Sequence, residues 1–260
     1  MKIILDTDTG TDNITSVTAN SEDAEFVDDN LLNNWTTDFW KAASGTSAIL
    51  TFEVSKGSAI LIFNTNATSA VVWAGVGESF EWEADWAWEA DWSWSDDEVA
   101  TSVTYDLPGV RGRLWAEYPE FAGAHVVKVT LTAAAIPYAG IARAGVVQSF
   151  ADPKYGMSEE SKDFSIEKEL NNGATYFRKR GVVRSYPKLE LIDTRANCFI
   201  LKHDVFDAVG PEPLAIKLIS ETASITDDEF ILFAKRIDSP EISHTTRTHS
   251  KVELSLTEVI

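Results

Sequence analysis

Gly57-Ser58-Ala59-Ile60-Leu61-Ile62-Phe63-Asn64-Thr65-Asn66 is the stretch on which the fold turns. Its Ser58-to-Asn64 run is almost continuously apolar and ends at a glycine on one side and an Asn-Thr-Asn turn signal on the other. That combination predicts a short buried β-strand, because a helix of useful length does not fit between the two breaks. Moving outward, Ile14–Ala19 and Ala48–Val54 alternate or are β-branched. Ser69–Trp73, Glu98–Tyr105 and His125–Leu131 continue the series, and a single turn is expected near Asp28–Asn33. Short strands at this spacing predict a sandwich or jelly roll. Ala133-Ala134-Ala135-Ile136-Pro137 reads as the crossing into a second unit, dividing the chain into 1–136 and 137–260.

The second unit reads as β-rich with one helix. Gly140–Phe150 and Asp163–Lys168 look extended. Phe177–Ile192 is expected as two strands broken near Pro187, and Leu214–Ile219, Phe230–Arg236 and Lys251–Ile260 follow as strands. Between them Cys198, Leu201, Val205 and Val209 fall at spacings of three and four. The spacing predicts an amphipathic helix over Thr194–Val209, opened by Asp193 or Thr194 and closed by Gly210-Pro211. The alternation of Val252, Leu254 and Leu256 with Glu253 and Ser255 ties the chain end into a sheet with one buried face.

The two units differ in charge. Residues 1–136 carry 22 acidic and 6 basic side chains, net −16, whereas residues 137–260 carry 19 and 16, net −3. All nine tryptophans lie between Trp35 and Trp115. A chain at −19 opposes binding to a phosphate backbone, so no nucleic-acid partner is expected. No apolar run reaches membrane-spanning length and no signal peptide is expected. Cys198, the single cysteine, excludes an internal disulfide and a thiolate metal cluster. The more neutral unit is the better candidate for burial against partners, and the acidic one for facing solvent.

Residues 80–94 hold the most unusual pattern. Glu-Ala-Asp-Trp-Ala-Trp at 83–88 is followed by Glu-Ala-Asp-Trp-Ser-Trp at 89–94, and every even position from Phe80 to Trp94 is apolar. The alternation predicts a long strand or strand pair with indoles on one face and carboxylates on the other. Five indoles exceed what one small sandwich usually buries; core packing is one reading, and contact of Trp86, Trp88, Trp92 and Trp94, the outer Trp92 and Trp94 above all, with a neighbouring subunit or a sugar is the other.

Ile3-Ile4-Leu5-Asp6-Thr7-Asp8-Thr9-Gly10-Thr11-Asp12-Asn13 resembles the opening of the calcium-dependent nucleoside hydrolases, where a strand ends in an aspartate-rich DTDPGxDD loop. Thr9 replaces that family's proline and Asn13 its last aspartate. A β-pattern follows instead of a helix, and no βα units come after it. A polar acidic turn before a strand is the expectation, with no metal and no cofactor. His125 is expected at a core or edge position and His203 at the surface. His244 and His249 are expected in a loop, solvated or at an interface. No nucleophile elbow, P-loop or dinucleotide fingerprint is present.

Val17–Phe26, Asn30-Leu31-Leu32, Thr36, Phe39-Trp40-Lys41-Ala42 and Ile49–Val54 resemble the start of a discoidin-like (galactose-binding-like) domain. The resemblance implies that Trp40 plugs the core of a jelly roll. Gly145–Phe150, Pro153–Gly156, Asp163–Leu170, Arg178–Arg180 with Arg184, Phe230–Phe233, Pro240, Ser243-His244 and Lys251–Val259 resemble tail proteins of tailed bacteriophages. That resemblance implies a non-enzymatic structural protein of the tail tip or baseplate. Such a protein is made in the host cytoplasm and carried in the virion. Its implied partners are other tail proteins (hub, distal tail or tape-measure neighbours) in a symmetric oligomer. A carbohydrate-binding tail module contacting a host-surface glycan is the alternative, and a calcium-dependent nucleoside hydrolase a further one.

Overall fold

The computed structural model describes residues 1–5, 7–8, 11–33, 38–76, 101–109, 111–154, 157–163, 166–169, 175–178, 182–220 and 230–259. Among the described residues the protein is mainly β, with large antiparallel sheets, one helix and a 3-10 turn at Asp28–Leu32. The first sheet has five strands in the order β4 (Ile14–Ala19), β6 (Ser47–Val54), β11 (His125–Ala133), β8 (Ala67–Gly75) and β9 (Thr101–Asp106). The second has ten. Its path runs β10 (Gly112–Phe121), β7 (Gly57–Thr65), β13 (Ile141–Ser149), β1 (Lys2–Leu5), β18 (Leu214–Lys217), β19 (Ile231–Arg236), β21 (His249–Glu258), β17 (Val182–Thr194) and β14 (Glu160–Asp163). A further strand, β20 (Glu241–His244), pairs with β21. Three short ladders complete the set: β2 (Thr7–Asp8) with β3 (Thr11–Asp12), β5 (Trp40–Lys41) with β12 (Tyr138–Ala139), and β15 (Ile166–Glu169) with β16 (Thr175–Arg178).

The apolar run at 59–63 lies in β7, and both faces of that strand are covered. Ile60 and Ile62 project into the sandwich core, where they meet Leu50, Phe52, Val127, Val129 and Leu114. Ala59, Leu61 and Phe63 project into a second core with Ile4, Trp115, Ile141, Ala215, Ile231 and Phe233. A strand buried on both faces reads as continuous apolar sequence rather than alternation, which is the pattern here. Trp40 is fully buried in the sandwich core, where the discoidin-like resemblance places it.

Strands from both sides of residue 136 share the ten-stranded sheet. Ile141–Gly145 of β13 pair with β7, and Val146–Ser149 of the same strand pair with β1. Gly145 sits at the changeover. A Cβ there would lie 1.9 Å from the Leu5 carbonyl oxygen, so the close approach of the two backbones requires glycine.

The sheet also rolls. β7 and β19 are separated by four strand-to-strand steps, roughly 19 Å in a flat sheet. Yet the Phe63 and Phe233 rings lie 6.5 Å apart. The same closure brings Arg113 of β10 to Glu258 of β21, Nη2 to Oε1 at 2.7 Å, while its Nη1 donates to the Ile231 carbonyl at 3.0 Å. Arg184 of β17 reaches the same carboxylate at 3.2 Å. Two guanidiniums thus flank one buried glutamate where the ends of the sheet meet. A third core lies under the helix and draws on Met1, Ile3, Tyr186, Leu191, Leu214, Ile216, Val252 and Leu254.

Most expected strands are present, and three stretches differ in an informative way. The break at Pro187 is a register shift between Tyr186 and Leu189 within one continuous β17, not an end between two strands. Asp163–Lys168 is divided between β14 and β15. β10 is not expected from the sequence, because Arg113, Glu117 and Pro119 interrupt its apolar pattern.

Candidate functional site

The helix is where the sequence pattern and the exposed chemistry meet. Its first turn, α1 (Arg195–Phe199), is capped by Thr194, whose Oγ1 accepts from the Asn197 amide at 3.3 Å. From Ile200 to Asp207 the winding widens to a π-helix, and Gly210 ends the element at φ +71. Cys198, Leu201 and Val205 are buried as the spacing predicts, and Val209 packs against the same core. Phe206 is buried beside Val205, which the wider winding permits. The Cys198 thiol packs against the Ser250 carbonyl at 3.4 Å, and burial raises its pKa.

The opposite face carries an aromatic and cationic platform. Phe199 is 40% exposed and Ile200 37% exposed. The Phe199 ring stacks on His203 (centroids 5.7 Å, 18°) and tilts against His244 of β20 (6.4 Å, 35°), and the Arg195 guanidinium lies 5.8 Å from its centroid. His203 Nδ1 is 3.1 Å from Asp207, whose other oxygen meets Arg236 at 3.1 Å. The β20–β21 hairpin holds the platform in place. The Arg195 amide donates to the Thr248 carbonyl at 3.0 Å, and His244 Nδ1 meets Ser250 Oγ at 2.9 Å. An exposed ring that packs with a guanidinium and two imidazoles suits a partner that brings apolar or aromatic groups and carboxylates.

The other histidines take different places. His125 is buried in the sandwich. The Gly123 carbonyl, 3.0 Å from Nδ1, only accepts, so Nδ1 carries the proton and Nε2 accepts from the Tyr118 hydroxyl at 3.2 Å. Phe121 stacks on the imidazole at 4.6 Å. Burial lowers the pKa of His125 and raises that of Tyr118, so both are neutral at pH 7. His244 ends β20 and His249 begins β21, so they stand on two paired strands on either side of a turn rather than together in a loop.

Trp86, Trp88, Trp92 and Trp94 lie outside the described residues. The connection that carries them leaves after β8 and returns at β9, where Ala74 pairs with Thr101. Beside that corner, Trp73 lies over Gly75 with the Lys128 ammonium 5.5 Å from its ring. In the aspartate-rich opening, Asp6 also lies outside the described residues, while the backbones of β2 and β3 form a small hairpin. Asn13, which replaces the hydrolase family's last aspartate, is buried and donates to the Leu5 carbonyl at 2.9 Å, closing the end of β1. The sequence pattern places His203 at the surface but passes over Phe199. The available signal is an aromatic next to Cys198, off the apolar stripe and four residues before a histidine.

No protein-family model and no curated protein matches the chain. Among solved structures, it is similar to a chain of a crystal structure described as reduced XRCC1 bound to the DNA polymerase β catalytic domain. The identity is 14% and the TM-score 0.37, over 52% of this chain and 97% of that one. A similarity of that size shows neither family nor function. No helix among the described residues is long and apolar enough to cross a membrane.

Proposed function

We propose that this chain is a non-enzymatic structural component of a bacteriophage tail tip or baseplate, built into the virion beside other tail proteins. The observation that carries the reading is the contrast between its seam and its surface. One rolled sheet, closed by Arg113, Glu258 and Arg184, joins the two halves of the chain, while the Phe199 platform is turned outward. A stiff body with an outward aromatic platform suits a subunit that docks on neighbours. The resemblance of the second half to phage tail proteins supports the same reading. The test is to label the protein on purified intact particles with a specific antibody. Labelling at the tail tip is expected, and particles free of the protein would overturn the proposal.

A host-surface glycan is the second reading, favoured by Trp73 lying across the sheet at the root of the tryptophan-rich connection. Retention of the purified chain on immobilised host polysaccharide, lost with Trp73→Ala, distinguishes it.

A further inference from the structure

We infer that the Phe199 platform docks the acidic, tryptophan-rich stretch 77–100 of a second copy of this chain, joining copies head to tail. The inference rests on the assembly reading above and adds to it the partner and the contact.

Three observations carry it. The first is exposure: Phe199 and Ile200 are consecutive and both open to solvent on a helix whose other face is fully committed to the core. The second is charge. The chain carries −19 overall, yet in 195–207 and 241–251 the charges nearly balance: Arg195, Lys202, Arg247 and Lys251 stand against Asp204, Asp207 and Glu241. Three of the four histidines lie in the same two segments. Asp207 is already engaged by His203 and Arg236, and the Phe199 ring has Arg195 over it, His203 stacked on it and His244 tilted against it. The platform therefore sets the Arg195 guanidinium beside an exposed apolar surface, where a carboxylate with a neighbouring indole can be accepted.

The third is the complement. Residues 77–100 hold nine carboxylates, five tryptophans, Phe80 and no basic residue. Both ends of this 24-residue connection are fixed at one corner of the five-stranded sheet by the Ala74–Thr101 pairing. Its indoles match the exposed Phe199–Ile200 surface by apolar contact, and its carboxylates match Arg195 by charge. Because platform and stretch are different surfaces, the contact is heterologous, and repeating it generates a ring if the rotation closes.

The experiment uses the full chain in sedimentation velocity at concentrations up to about 100 μM, where a Kd of roughly 10 μM is readily seen. Concentration-dependent association is expected, weakened by added salt. Arg195→Glu with Phe199→Ala should weaken it at least about tenfold, and so should Glu83→Gln, Asp85→Asn, Glu89→Gln and Asp91→Asn together. Phe199 and Arg195 are exposed, so an unchanged Tm shows that the platform variant is folded. Mixing the two variants gives the sharpest outcome. One retains the stretch and the other the platform, so a single contact forms, and the mixture should stop at dimers. A wild-type chain that stays monomeric, association unaffected by the platform substitutions, or a mixture that forms no dimer would each overturn the inference. A monomer that is retained on host polysaccharide through its tryptophans would overturn it in favour of a sugar. Particle labelling keeps the two proposals separate. A monomeric protein present on particles sinks only the pairing, and an associating protein absent from particles sinks only the tail reading.

Discussion

β7 and β21 belong to the same sheet but write their positions into sequence in opposite ways. In β7 five consecutive residues, Ala59 to Phe63, are buried, because the sandwich core lies on one face and the rolled seam on the other. In β21 burial alternates: Ser250, Val252, Leu254, Leu256 and Glu258 are buried, and the residues between them are half-buried. The difference teaches that a strand's hydrophobic period reports how many layers cover it. It also shows that the sheet passes from a two-sided to a one-sided environment within five strand steps.

The largest test of this comparison removes β21. Deleting 251–260 takes away a partner of β17, β19 and β20 together with Glu258, and the remaining chain is expected not to fold to a soluble, cooperatively melting state. A sharp thermal transition in the truncated protein would show that β21 is dispensable. Next in size is Glu258→Ala, which leaves Arg113 and Arg184 without this carboxylate at the seam. A loss of about 3–5 kcal/mol is expected in urea unfolding, against a smaller loss for Glu258→Gln, which keeps the hydrogen bonds.

Parity in β7 is tested by Ile60→Ala and Leu61→Ala. Each should cost about 2–5 kcal/mol, because neighbours of opposite parity both leave cavities. If one of the two is nearly neutral, β7 is covered on one face only. A pH series probes the sandwich side of β7. The folded pKa of His125 lies below its ordinary 6.5, so the folded state binds fewer protons than the unfolded one. This contribution is intact above about pH 6.5 and is lost as the pH falls below it. The slope of stability between pH 7.5 and 5 should therefore decrease in His125→Gln. The smallest effect is expected for Glu253→Ala in β21, within about 0.5 kcal/mol, since its partners Lys188 and Lys251 hold it in a screened surface cluster.

What the sequence made legible follows the same logic. β7 and the helix were readable because each has a local pattern, a bounded apolar run in one and a three-four spacing closed by Gly210 in the other. β10 was not, because its charges make sense only with partners far away in sequence: Arg113 with Glu258, and Glu117 with Lys2 as well as the nearby Trp115. Burial disfavours the charged form of Glu117, but the hydrogen bonds from Lys2 and Trp115 hold its pKa below the usual carboxylate value. The site was half legible. His203 read as a surface residue, but nothing local announced that His244, forty-one positions on, would stand against the same ring.

The place of β1 in the sheet has a consequence for how the protein is made. Its four residues are synthesised long before their partners, Val146–Ser149 and Ala215–Lys217. At about 5–20 residues per second, the second partner appears roughly ten to forty seconds later. Until Val146–Ser149 emerge, earlier in that interval, Ile3, Ile4 and Leu5 are an unpaired apolar strand, the kind of segment that recruits other nascent chains. The residues immediately behind it include Asp6, Asp8 and Asp12. Charges flanking an unavoidable apolar strand act as gatekeepers against aggregation. The aspartates that make the opening look like a calcium loop thus stand where gatekeeper charges belong before the fold exists.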